Sequence, residues 1–107
     1  MYTVGVDLGG TNIAVGICDE KLNIVAKGSV PTLAARDPEL IVKDMSDLVG
    51  SLAENAGIPY SEISYVGIAA PGSINSDTGV VEYSNNIQMS NFPMCEIFKN
   101  YSPINTV

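Results

Sequence analysis

The chain has 107 residues and is 46% hydrophobic, so it is one folded domain or a piece of one, with room for a single core. Its 12 acidic and 5 basic residues give a net charge of −7, which argues against a nucleic-acid-binding surface. It contains no histidine, so a Ser-His-Asp triad, a Cys-His dyad and a histidine zinc site are excluded within it.

Three strands are predicted at the start of the chain. Apolar residues alternate with small or polar ones at residues 2–8 and again at 13–17, which is typical of half-buried strands. Residues 24–30 read as a third strand, closed by Pro31. Because the connections between them are short, the three strands are predicted to form an antiparallel meander.

The connection between the first two strands contains candidate ligand-binding residues. Gly9 and Gly10 are expected to adopt the positive φ values of a tight two-residue hairpin turn. Asp7 precedes this turn, and Thr11 and Asn12 follow it. Backbone amides beside a carboxylate suit a metal-bound phosphate, because the amides bind oxygens while the carboxylate holds the cation or its waters. A plain hairpin with polar turn residues is the structural alternative, and the turn alone leaves both open.

A helix is predicted after Arg36, where the hydrophobic period changes. Asp37 is a suitable N-cap, Pro38 suits the first helical position, and Gly57 with Pro59 ends the helix. Its apolar face is predicted to contain Ile41, Met45, Leu48 and Leu52. Its acidic residues are Asp44, Asp47 and Glu54. We interpret the acidic residues as a solvated face, because no second cluster of metal ligands faces them.

A central strand covered on both faces is predicted at residues 63–70, ending in a loop of Ala70, Pro71, Gly72 and Ser73. Open α/β sheets bind ligands at the carboxyl ends of central strands, although a simple strand-ending turn explains this loop equally well. Residues 76–79 are predicted to form a turn between two short extended segments, the second being 80–83.

The remainder of the chain is predicted to contain a polar patch, a loop and a short helix. The patch is 84–86, and the helix starts at Asn91 and Pro93. Its apolar side contains Met94, Ile97, Phe98 and Tyr101. A further strand is expected to begin at 104–107, so we interpret the chain as part of a longer protein.

The order of elements predicts an α/β domain with a mixed sheet, in which a crossover helix links the meander to the next strand. Cys18 and Cys95 form no Cys-x-x-Cys motif and are expected to be free, partly buried thiols, with a disulfide between them as the lesser alternative. Without a signal peptide or a membrane-length apolar run, the chain is expected to be cytoplasmic, with no membrane partner.

Two separated segments together resemble the ROK family of sugar kinases and related repressors. The first is Asp-Leu-Gly-Gly-Thr-Asn at 7–12; the second is Gly-Ile-Ala-Ala-Pro-Gly at 67–72, followed by Asp-Thr-Gly-Val-Val at 77–81 and two asparagines. Their order, with one helix between them, fits the family, and the resemblance spans nearly the whole chain. It implies an actin-like, ribonuclease H-like ATPase fold, of which residues 1–107 form an incomplete N-terminal lobe.

The resemblance also implies roles for individual residues. Asp7 resembles the carboxylate beside the magnesium–phosphate group, so it is the expected metal ligand. Gly9, Gly10 and Thr11 resemble the turn that approaches the phosphates of ATP, and Asn12 braces this turn. Together with Asp7, they are the expected ATP-binding residues. The sugar-binding positions are Gly72, Ser73, Asn85 and Asn86.

The implied activity is that of a glucokinase-like hexose kinase, which transfers a phosphoryl group from Mg-ATP to a hydroxyl of glucose or a related sugar. The family's catalytic aspartate is expected beyond Val107, so the chain by itself is expected to be inactive. The alternatives are the sugar-sensing domain of a ROK-type repressor and a non-sugar ATPase lobe of the actin superfamily. The sugar and the phosphoryl donor stay open, and homodimerisation or self-association through the truncated sheet is a further expectation.

Overall fold

The computed structural model describes residues 1–69, 73–75, 80–84 and 89–101. Its strands are β1 (Tyr2–Leu8), β2 (Asn12–Cys18), β3 (Ile24–Pro31), β4 (Ile63–Ala69), β5 (Ser73–Asn75), β6 (Val80–Ser84) and β7 (Met89–Phe92). Its α-helices are α1 (Pro38–Asn55) and α2 (Met94–Tyr101), and a single 3₁₀ turn, Tyr60–Glu62, precedes β4.

The first four strands form one mixed sheet in the order β3-β2-β1-β4. β1 pairs antiparallel with β2, and β2 pairs antiparallel with β3, which confirms the meander. β4 returns beside β1 in the parallel direction, so α1 is the crossover helix. The central position predicted for β4 is not found in the described residues, where β4 is the outer strand. The strand expected from residue 104 lies outside them.

The core lies on the face of this sheet that α1 covers. Alternation along β1 and β2 places their apolar side chains on one face in register, as Val4 with Ile17, Val6 with Val15 and Leu8 with Ile13. From α1 the fully buried contributors are Ile41, Val42, Met45 and Val49. Each buried aliphatic side chain contributes about 1.5–3 kcal/mol, so this layer holds the β1–β2 hairpin on the helix.

Both ends of α1 are those predicted. The Asp37 carboxylate accepts a hydrogen bond of 2.9 Å from the Glu39 amide, and Pro38 occupies the first turn, where its missing N–H costs nothing. Gly57, with φ of +71°, follows the last turn in the left-handed conformation that ends many helices.

The buried face of α1 is rotated relative to the prediction. Ile41 and Met45 are fully buried, whereas Leu48 and Leu52 are half-buried at the edge of the core. They pack over Gly28 of β3, where an added Cβ would lie 3.2 Å from Leu52 Cδ2. Because Gly28 has no side chain, α1 can lie against β3.

A second, antiparallel sheet has the order β5-β6-β7. β5 and β6 are the two predicted extended segments, but β7 was expected to be a loop and the start of a helix. Pairing with β6, from Val81 opposite Phe92 to Ser84 opposite Met89, overrides the weak strand propensity of this polar segment. The helix accordingly begins later, at Met94, and buries Met94 and Phe98 in the common core.

The ion pairs of α1, the two cysteines and the lengths of the helices test three further predictions in the described residues. Asp47 pairs with Lys43 at 2.9 Å and both are exposed, as expected of a solvated acidic face. Asp44 departs from this prediction, because it is half-buried and pairs with the partly buried Arg36 at 2.7 Å. Cys18 and Cys95 are free thiols, as predicted. In the described part of the chain, no helix is both long enough and apolar enough to cross a membrane.

Candidate functional site

The β1–β2 connection is a close hairpin whose tip lies one residue later than predicted. The Gly9 amide donates to the Asn12 carbonyl at 2.9 Å, so Gly10 and Thr11 form the tip, in place of Gly9 and Gly10. Neither Gly9 nor Gly10 has the positive φ expected of it. Glycine is required there for space, because a Cβ at Gly9 would lie 3.0 Å from the Asn12 carbonyl oxygen.

The tip of this hairpin presents backbone amides to solvent. Gly10 and Thr11 are exposed, and no described residue accepts a hydrogen bond from either N–H. Asn12 braces the tip through its backbone carbonyl, which accepts the Gly9 amide. Adjacent unpartnered amides on a tight turn can donate hydrogen bonds to an anion.

Asp7 is an exposed carboxylate on the face of β1 opposite the core. Its neighbours across the two adjacent strands are Ala14 and Ala69, whose side chains are too short to cover it. Among the described residues, no basic group lies within ion-pair distance of Asp7. The carboxylate is therefore available to a cation.

Magnesium fits this donor set. Mg²⁺ usually keeps several waters and binds one or two carboxylates together with the phosphates of a ligand. The described residues contain no group of three or more metal-ligating side chains, so a complete protein cage is absent from this part of the chain. A single carboxylate beside open amides suits a cation that arrives with a phosphate.

The parallel pairing of β1 with β4 places the ends of these two strands side by side. Asp7 and Ala69 are register partners at the carboxyl ends of β1 and β4, so β4 ends beside the strand that leads into the hairpin. Ser73 begins β5, opposite Tyr83. The other three predicted sugar-binding residues, Gly72, Asn85 and Asn86, lie outside the described residues.

A fully buried threonine that the sequence analysis missed anchors the hairpin. Thr32 Oγ1 donates to the Gly9 carbonyl at 2.7 Å, and the Thr32 amide donates to the Thr11 carbonyl at 2.9 Å. The Thr32 carbonyl accepts from Arg36 Nε at 3.1 Å and from a terminal guanidinium nitrogen at 2.8 Å. The only sequence signal for Thr32 is that a polar residue directly follows the strand-ending Pro31. The sequence does not indicate that Thr32 contacts Gly9 and Thr11.

A depression in the described surface lies at the other end of β1. Its volume is about 490 Å³, and it is lined by Met1, Tyr2, Asp19, Glu20, Lys21, Asn23 and Glu62. Its three carboxylates outnumber its two cations, Lys21 and the Met1 ammonium, and the ammonium is paired with Glu20, so the depression does not favour a phosphate. We therefore place the candidate site at the hairpin, which has two exposed amides and a single exposed carboxylate at the end of the preceding strand.

Comparison with known proteins identifies the family of the chain. The family model described as the ROK family matches residues 3–106. The chain belongs to the ROK family. Its four-stranded mixed sheet with a crossover helix is part of the actin-like ATPase fold that the ROK sugar kinases share.

Three relatives show how this ROK chain compares with characterised members. Glucokinase from Streptomyces coelicolor is 40% identical over 94 residues, which cover 88% of this chain and 27% of that enzyme. A ROK family glucokinase from Streptomyces griseus, crystallised with glucose and AMPPNP, superposes with a TM-score of 0.87 at 29% identity, covering 100% of this chain and 32% of that one. An inorganic polyphosphate/ATP-glucomannokinase from Arthrobacter sp. strain KM superposes with a TM-score of 0.83 at 26% identity, covering 99% and 42%. The chain thus spans 27% of the length of the Streptomyces coelicolor glucokinase.

Proposed function

We propose that this ROK chain is the N-terminal lobe portion of an ATP-dependent, glucokinase-like hexose kinase. The observation that carries the proposal is the pairing of Asp7 with Ala69, which brings the end of β4 beside the strand that leads into the hairpin. Phosphoryl transfer requires this proximity, because donor phosphate and acceptor hydroxyl must meet. The glucokinases among its relatives support the choice of activity.

The hairpin is the proposed phosphate side of the site. The amides of Gly10 and Thr11 bind phosphate oxygens, Gly9 allows the close turn, and Asn12 holds it shut through the carbonyl that the Gly9 amide contacts. Asp7 holds Mg²⁺ directly or through its waters. When bound, the cation neutralises charge on the phosphates, which is the main task of catalysis in phosphoryl transfer.

The segment after β4 is the proposed sugar side. Gly72, Ser73, Asn85 and Asn86 are proposed to bind the hydroxyls of glucose or a closely related hexose. Support comes from the similarity to glucokinases and from the position of Ala69 beside Asp7. The base that accepts the proton of the sugar hydroxyl is proposed to lie outside residues 1–107, because Asp7 belongs to the phosphate side.

ATP is the proposed donor. AMPPNP is an ATP analogue, and its presence in the Streptomyces griseus glucokinase complex supports this choice. The hairpin itself offers contacts for phosphates only, so inorganic polyphosphate is a suitable probe of it. A cytoplasmic location and self-association through the outer strand β4 are parts of the same proposal. The sensor function of a ROK repressor has less support, since the three relatives reported above are kinases.

A chimeric enzyme tests the proposed activity. This chain replaces the aligned N-terminal segment of Streptomyces coelicolor glucokinase, and glucose-dependent ADP formation from Mg-ATP is measured. We expect activity in the chimera, a loss of about 100-fold in its Asp7→Asn variant, and little change in Asp47→Asn, which makes the same chemical change on the surface of α1. A chimera that unfolds cooperatively but forms no glucose-dependent ADP would contradict the proposal.

A further inference from the structure

A continuous chain of polar contacts runs from helix α1 to the tip of the hairpin. Asp44 of α1 pairs with Arg36 at 2.7 Å, and the Arg36 guanidinium donates twice to the Thr32 carbonyl. Thr32 in turn uses both of its donors on the hairpin, with the hydroxyl on Gly9 and the amide on Thr11. Every link is at most 3.1 Å long.

We propose that Thr32 is a positioning residue that orients the peptide groups of the hairpin for phosphate binding. This inference rests on the proposed function. In a trans peptide the C=O and N–H point in opposite directions, and the described chain contains no cis peptide. Holding the Gly9 carbonyl on the Thr32 hydroxyl therefore turns the Gly10 N–H away from Thr32. That N–H is one of the two exposed amides at the tip.

The same contacts remove repulsion from the site. A peptide group has a dipole of about 3.5 D, so a carbonyl oxygen that pointed toward a phosphate would oppose its binding. The Gly9 and Thr11 carbonyls both point at Thr32, which is 0% exposed and cannot share its donors with water. Without the hydroxyl, the Gly9 carbonyl lacks its buried donor, and its peptide group is free to rotate.

Arg36 and Asp44 hold Thr32 itself in place. Two guanidinium nitrogens bind the one Thr32 carbonyl, and the ion pair with Asp44 fixes the guanidinium to α1. The Arg36 side chain is only 23% exposed, so this pair is better shielded than a surface ion pair. Its charge is used within the protein, and Arg36 therefore serves as an anchor of the hairpin and makes no contact with phosphate.

Three variants of the isolated chain test the role of Thr32. Thr32→Val removes the hydroxyl at nearly constant volume, and Thr32→Ser retains it. Thr3→Val makes the same change at the far end of β1 and is the matched control. Two quantities are measured: the affinity for Mg-tripolyphosphate, and the ¹⁵N order parameters of the Gly10 and Thr11 amides without ligand.

We expect Thr32→Val to lower both order parameters and to weaken binding about tenfold, which corresponds to about 1.4 kcal/mol. Thr32→Ser should stay within about threefold of the wild-type affinity, and Thr3→Val should change neither quantity. Unchanged affinity in Thr32→Val would overturn the inference, as would equal losses in Thr32→Ser and Thr32→Val that follow melting temperature alone. If the wild-type chain binds no tripolyphosphate, the phosphate assignment itself fails. The order parameters then decide separately whether Thr32 holds the hairpin.

Discussion

Asp7 and Ala69 are register partners at the carboxyl ends of two parallel strands, although the whole of α1 separates them in sequence. This relationship places an exposed carboxylate and the open amides of Gly10 and Thr11 beside the point where β4 ends. It is the structural basis for the proposal that a phosphate-binding turn and a sugar-binding segment belong to one site.

Replacing Asp7 by asparagine should have opposite effects with and without magnesium. In the presence of Mg²⁺, Asp7→Asn should weaken tripolyphosphate binding about tenfold, because the carboxylate that holds the cation is lost. Without Mg²⁺ it should bind at least as well as the wild type, since repulsion between carboxylate and phosphate is removed. Isothermal titration with and without EDTA measures both. Asp47→Asn is the control, and a loss of equal size under both conditions would contradict a metal-holding role.

Gly9→Ala should disrupt the hairpin. Its Cβ would lie 3.0 Å from the Asn12 carbonyl oxygen, which belongs to the backbone and cannot move without opening the turn. We expect a loss of about 1–3 kcal/mol in the free energy of unfolding, together with loss of tripolyphosphate binding. Gly16→Ala is the matched control on β2, because a Cβ there meets no atom within 4 Å. Urea unfolding of both variants is the measurement, and equal stability would refute the steric requirement.

Much of the described fold could be predicted from the sequence because its signals are local. The alternation of apolar and polar residues predicted β1 and β2. Asp37, Pro38 and Gly57 predicted the two ends of α1. The position of Asp7 before a hairpin turn could also be predicted, because a glycine turn after a strand is a short-range pattern. The shift of the tip by one residue depends on one hydrogen bond, from Gly9 to Asn12, which no local pattern encodes.

What could not be predicted depends on contacts between distant segments. Thr32 was missed because its importance comes from Gly9 and Thr11, its partners on a different strand connection. The strand β7 was missed because pairing with β6, and not its own polar residues, makes it extended. The half-buried position of Leu48 likewise follows from the space above Gly28.

Leu22→Asn should stabilise the chain. Leu22 is 81% exposed and has a φ of +65°, a left-handed conformation that costs a leucine about 1–2 kcal/mol and that asparagine adopts more easily. We expect the free energy of unfolding to rise by about 0.5–1 kcal/mol. Leu40→Asn, at an exposed position of α1, should instead lower it slightly. A fall in the midpoint of urea unfolding for Leu22→Asn would show that the backbone is not strained there.

The turn around Asp19 should lose stability in acid. The Asn23 and Lys21 amides, each 2.9 Å from Asp19 Oδ1, lower the pKa of this carboxyl below its ordinary value of 3.8, with the Asn23 amide the larger cause. A lowered pKa means that the ionised form favours the folded state. Its contribution is therefore present above the ordinary value and lost as pH falls through the folded pKa.

Comparing Asp19→Asn with the wild type isolates this effect. The asparagine retains an acceptor for the two amides but cannot ionise. The wild type should be more stable than the variant at about pH 5, and the difference should shrink toward about pH 2. Thermal unfolding across this range is the measurement. A difference that does not change with pH would exclude the carboxylate as its source.

The isolated chain should not phosphorylate sugars. The base for the sugar hydroxyl is proposed to lie outside it, so bound phosphate has no activated nucleophile to react with. A coupled assay for ADP, with Mg-ATP and with or without glucose, should give equal and negligible rates. ADP release that depends on glucose would show that the chain contains its own base.

The most direct test of the central claim is a ¹H–¹⁵N correlation spectrum of the isolated chain during titration with Mg-tripolyphosphate. This probe contains the phosphates that the hairpin is proposed to bind and requires no contact with adenosine. The amide resonances of Gly9, Gly10 and Thr11 should shift in a saturable manner, while that of Lys21, at the other end of the sheet, stays unchanged. No shift at the hairpin, or shifts confined to the lysines, would contradict the assignment of this turn as a phosphate site.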